Sequence, residues 1–137
     1  MPVAGSLRRL HVVLAGADRR FLRVAAFLLA RRGHVVTTAA TPEEARDVLS
    51  LHGADAVVMD GGPSPRSAVD VVGEIETLYP GVGVILVLDG HHQAEVPVPE
   101  GSHVLSKWKS ARTLAHAVEG ARAGADGRLM PRRGWRR

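Results

Sequence analysis

The sequence predicts an α/β fold: one doubly wound, five-stranded parallel sheet with helices on both faces. Three observations carry this. Five short aliphatic runs recur along the 137 residues, at 10–16 (LHVVLAG), 34–40 (HVVTTAA), 55–61 (DAVVMDG), 82–90 (VGVILVLDG) and 103–107 (HVLSK). Several are continuous rather than alternating, as strands covered on both faces must be. Helical patterns separate them, and strands alternating with helices imply parallel pairing.

The first strand, 10–16, leads into DRRFLRVAAFLLARRG. Phe21, Val24, Ala25 and Leu28 recur there at helical spacing and form the expected buried face. Arg19, Arg20, Arg23, Arg31 and Arg32 are left to the wet face. Asp18 is the expected N-cap, and Gly33 supplies the left-handed turn that ends the helix. The second strand runs into TPEEARDVLSLHG, with Thr41 as N-cap, Pro42 in the first turn and Glu44 closing a capping box. The third strand ends in Asp60, followed by a loop with Gly61, Gly62, Pro63 and Pro65. SAVDVVGEIETLYPG is the third helix and SARTLAHAVEGARAG the last, with Ser110 as its expected cap.

One segment breaks the alternation. GHHQAEVPVPEG (90–101) stands where a fourth helix belongs. Pro97 and Pro99 forbid a helix interior, and Val96 and Val98 before them are pushed towards extended geometry. The expectation is a fourth helix shortened or replaced by an extended arm. The chain therefore divides into an N-terminal extension (1–9), one domain (10–124) and a basic tail (125–137) expected to be disordered.

Composition narrows the function classes. Apolar residues make up 45% but aromatics only 4%, so aliphatic side chains must fill the core. No apolar run reaches the ~18–20 residues of a membrane span, and the start lacks the long apolar region of a signal peptide. A cytoplasmic protein is expected. The absence of cysteine excludes disulfides, a thiol nucleophile and cysteine-ligated metal. The net charge of +4 is a property of the tail: taking away Arg128, Arg132, Arg133, Arg136 and Arg137 leaves −1 for everything before. No Ser/His/Asp set and no metal-spaced histidines can be assembled, so an enzyme is not expected. His11, His34, His52, His103 and His116 are scattered and make no ligand set by spacing.

In a doubly wound sheet, ligands bind at the carboxyl ends of the strands. Asp60, ending the third strand, is then either a site residue or an acid paired with Lys107 at the end of the fifth. This element order, the aspartate in VVMD, the lysine in VLSK and the EGARAG exit of the last helix together resemble the receiver domain of two-component response regulators, from about Leu10 to Gly124. The resemblance implies the flavodoxin-like receiver fold with strand order 2-1-3-4-5. It also implies that Asp60 stands at the phosphoacceptor position and that Lys107 matches the family's lysine.

The sequence departs from the family elsewhere. The acidic pair that holds magnesium falls at Gly16 and Ala17, and the hydroxyl residue ending the fourth strand falls at Leu88. Asp18 is the one acid near the first position, and Trp108 follows Lys107. The implied class is a degenerate receiver, or pseudo-receiver, lined by Asp18, Asp60, Asp89, Lys107 and Trp108. No cofactor is expected, magnesium included, because two of its three carboxylate ligands are missing. Asp18, Asp60 and Asp89 are the residues from which a metal site could be rebuilt. The expected function is phosphorylation-independent signalling by contact with a protein partner or a second copy, through the 90–108 arm, the fifth strand and the last helix. Two alternatives stand beside it. One is a phosphoacceptor response regulator using Asp60. The other is a transcriptional regulator that binds nucleic acid through the tail residues Arg132, Arg133, Trp135, Arg136 and Arg137.

Overall fold

The computed structural model describes residues 9–62, 65–88, 103–106 and 113–121. Within them lie β1 (His11–Ala15), α1 (Arg19–Arg31), β2 (Val35–Ala39), α2 (Pro42–His52), β3 (Ala56–Asp60), α3 (Pro65–Leu78), β4 (Gly83–Leu88) and β5 (His103–Ser106). A final helix, α4, covers 113–121. The five strands form one sheet in the order β2-β1-β3-β4-β5, every pair parallel. This is the flavodoxin-like receiver architecture. Residues 1–8 of the extension, the 90–101 arm, Ser110 and the tail lie outside the described residues.

Side chains alternate across a strand, so each strand feeds two cores. Val12 and Leu14 of β1, Val58 of β3 and Ile85 and Val87 of β4 pack with Phe21, Leu22 and Leu29 of α1 and Leu114 and Val118 of α4. Val13, Val57, Met59, Val84, Leu86 and Leu88 pack on the other face with Leu49 of α2 and Val71, Val72 and Ile75 of α3. The continuous aliphatic runs of β3 and β4 are buried throughout, as their composition requires. β2 is an edge strand and is buried only at Ala39.

The helix ends follow local chemistry. The Asp18 carboxylate accepts a hydrogen bond from the Phe21 backbone N–H, and Gly33 follows α1 at φ +93°. The Thr41 hydroxyl accepts from Glu44 N–H at 3.0 Å. Glu44 reaches back one residue further than a capping box requires, to the Ala40 N–H rather than that of Thr41.

The buried face of α1 differs from the sequence expectation. Phe21, Leu22, Ala25 and Leu29 are buried, while Val24 is 51% and Phe27 60% exposed. Leu28 is only half-buried. The helix is apolar around much of its circumference, so spacing alone admitted two neighbouring faces. Packing against β1 and β2 selected the one containing both Leu22 and Leu29.

Candidate functional site

The candidate site lies at the carboxyl ends of β1, β3 and β4. Asp60 closes β3 in register with Val87 of β4. It shares strand parity with Ala56 and Val58, so it belongs to the face that α1 and α4 cover. It is 3% exposed. The ladder continues one residue beyond it, with Gly61 N–H donating to the Val87 carbonyl at 2.9 Å. Its Oδ1 accepts the Gly62 N–H at 3.0 Å, and Gly62 holds φ +58°, so the carboxylate itself shapes the turn that follows β3.

Gly16 continues β1 alongside, its N–H donating to the Ala39 carbonyl at 3.0 Å. Its backbone lies directly against Asp60. A Cβ at position 16 would sit 2.6 Å from the Asp60 Cβ and 3.2 Å from Oδ2. That is inside van der Waals contact, so no side chain fits at position 16 without moving the aspartate. Ala17 is exposed and carries no ligand atom. Asp18, the next acid, is engaged as the cap of α1, its Oδ1 3.1 Å from Phe21 N. Leu88 is buried in the core under α2 and α3 and stands beside Ser106 of β5.

The structure thus brings Asp60 and the β1 end together and places Asp18 at the neighbouring helix start. Asp89, Lys107, Trp108 and the tail residues lie outside the described residues, as does the pairing of Asp60 with Lys107. Among the described residues, no group of three or more His, Cys, Asp or Glu side chains is arranged to hold a metal ion. None of their helices is long and apolar enough to cross a membrane.

A second cluster, at the amino ends of the strands, escaped the sequence reading. The His34 side chain is fully buried. Its Nδ1 accepts the Leu10 backbone N–H at 3.1 Å, which leaves Nε2 as the protonated nitrogen facing Glu119 Oε2 at 2.8 Å. Arg32 donates to the same carboxylate twice, at 2.9 Å from Nε and 2.8 Å from Nη2. Burial pushes the Glu119 carboxyl up, but the hydrogen bonds from Arg32 and His34 pull it further the other way, so it titrates below its ordinary value. No local signal announced this cluster, because Glu119 lies 85 residues beyond His34.

No protein-family model matches the chain, and no curated protein matches it. Solved structures do. A response regulator receiver domain protein from Clostridium thermocellum superposes with a TM-score of 0.74 at 24% identity, covering 88% of this chain and 98% of its own. A CheY-like receiver domain protein from Methanospirillum hungatei gives 0.72 at 16%, covering 88% and 98%. The response regulator TrrA from Thermotoga maritima, in complex with Mg2+–BeF, gives 0.69 at 18%, covering 81% and 97%. With the strand order and the placement of Asp60, these matches establish that the chain has the fold of response-regulator receiver domains.

Proposed function

We propose that this chain is a signalling module of the two-component type that works through protein–protein contact and does not require phosphorylation of Asp60. One observation carries the reading: the Gly16 backbone lies against Asp60, where the resemblance expects a magnesium ligand. Magnesium demands oxygen ligands in near-octahedral array and leans on carboxylates. Aspartyl phosphorylation depends on that ion to neutralise charge on the transferring group. Gly16 and Ala17 offer it no side-chain oxygen, and the space a carboxylate would need at position 16 is filled by Asp60. The buried Leu88 supports the same reading, since it replaces the hydroxyl that would bind a phosphoryl group. β5 is an edge strand with Val104 42% exposed, which suits a contact surface on that side.

Intact mass and molar mass in solution test this, with and without acetyl phosphate or beryllofluoride in the presence of magnesium. The expected result is no added phosphoryl mass and an unchanged assembly state. A mass gain abolished by Asp60→Asn would overturn it and establish the second reading, a working phosphoacceptor. That reading draws its support from the burial of Asp60 at the end of β3.

A further inference from the structure

We propose that the cleft between the first turns of α1 and the end of β2 is a binding site for a small phosphate-type anion. The cleft holds about 190 Å³ and is lined by Arg19, Leu22, Arg23 and Thr38. Arg19 and Arg23 are four residues apart, hence on one side of the helix and one above the other. Leu22 is buried and forms an apolar floor, and exposed Thr38 of β2 lines the opposite side.

Three observations point to an anion. First, α1 contains five basic residues when its cap Arg32 is counted, and no acid. Second, the arginines divide into two kinds. Arg32 and Arg46 are each held by a carboxylate, Glu119 and Glu74. Arg19 and Arg23 have no acidic partner among the described residues, and the adjacent Asp18 has its Oδ1 committed to the Phe21 N–H. Third, like charges four apart weaken a helix. Placing two arginines four apart on one cleft is therefore a cost that a bound anion offsets.

The size of the cleft limits the ligand. Pockets for drug-sized molecules span roughly 300–1,000 Å³. This one is of the size of a single anionic group. Guanidinium groups pair bidentately with both carboxylate and phosphate. Two of them match the double charge of phosphate better than the single charge of a carboxylate. The site is separate from Asp60, and the inference does not rest on whether Asp60 is phosphorylated.

Amide chemical-shift titration of the full chain at constant ionic strength tests it, with inorganic phosphate, glycerol phosphate, acetate and chloride as probes. The expected result is saturable shifts around residues 18–23 and 37–39 with phosphate, and only weak linear shifts with chloride. Saturation by glycerol phosphate as well would show that an esterified phosphoryl group is accepted; its absence would restrict the site to the free ion. Arg19→Gln and Arg23→Gln should each weaken binding about tenfold or more, as loss of a charge-assisted contact does. Thr38→Val should weaken it less, and Arg20→Gln, outside the cleft, should leave it intact. Phosphate shifts no different from those of chloride, tighter binding of acetate, unchanged affinity in the double arginine variant, or equal loss in Arg20→Gln would each overturn the proposal.

Discussion

The two edges of the sheet each keep a carboxylate largely away from water, and the described groups around the two differ in kind. At the amino edge, Glu119 is met by charge: two hydrogen bonds from Arg32 and one from His34, whose ring is itself anchored by Leu10. At the carboxyl edge, the described neighbours of Asp60 are backbone groups. Gly16 contributes nothing but backbone, and Gly62 N–H takes one oxygen into the turn. The first arrangement ties α4 to the end of α1 and the start of β2. The second fits a carboxylate against a neighbouring strand that has no room for a side chain. The difference teaches that Glu119 at the amino edge should respond to pH, whereas position 16 at the carboxyl edge should respond to volume.

The largest effect should come from volume at the carboxyl edge. Gly16→Val should destabilise by about 3 kcal/mol, the upper part of the range for overpacking, and Gly16→Ala by about 1–3 kcal/mol. Urea denaturation measures both. Adding Asp60→Gly, which removes the atom struck first, should make the pair cost less than the sum of its parts. Strict additivity would break the steric account.

Removing charge at the amino edge should come next. Glu119→Ala should cost about 2 kcal/mol, since it strands the buried imidazole and releases the guanidinium. Its pH dependence sharpens the comparison. The folded carboxyl titrates below the ordinary 4.5, so its contribution is complete above that value and disappears as pH falls through the folded value. The stability gap between the wild type and Glu119→Gln should therefore narrow on acidification below about pH 4.5. A gap that widened there would sink the ionic account.

Smaller effects separate caps and surface pairs from both edges. Asp18→Ala should cost about 1 kcal/mol, as loss of an N-cap does. Adding magnesium should change neither the wild-type stability nor that cost. Arg46 meets Glu74 at 2.9 Å on the exposed surface. Arg46→Ala should leave the denaturation midpoint unchanged, because exposed pairs contribute little.

Much of this was legible locally. Asp18, Thr41 and Gly33 act at the helix ends where their chemistry places them, within four residues of the groups they serve. The unbroken aliphatic runs of β3 and β4 announced strands covered on both faces. Asp60 at the end of one such run pointed to the carboxyl edge. The face of α1 was less legible, because Val24, Phe27 and Leu28 are as apolar as the residues that became buried. The Arg32–His34–Glu119 cluster and the Gly16–Asp60 contact were not legible at all.

By itself, then, the sequence determined the strands and helices, the N-caps of α1 and α2 and the parallel alternation. These depend on backbone preference and hydrophobic period, which act over a few residues. Only the tertiary structure decided that Gly16 must stay bare because Asp60 fills its space, and that His34 and Glu119 meet. Such contacts depend on the order and register of strands distant in the chain, and no local preference encodes those.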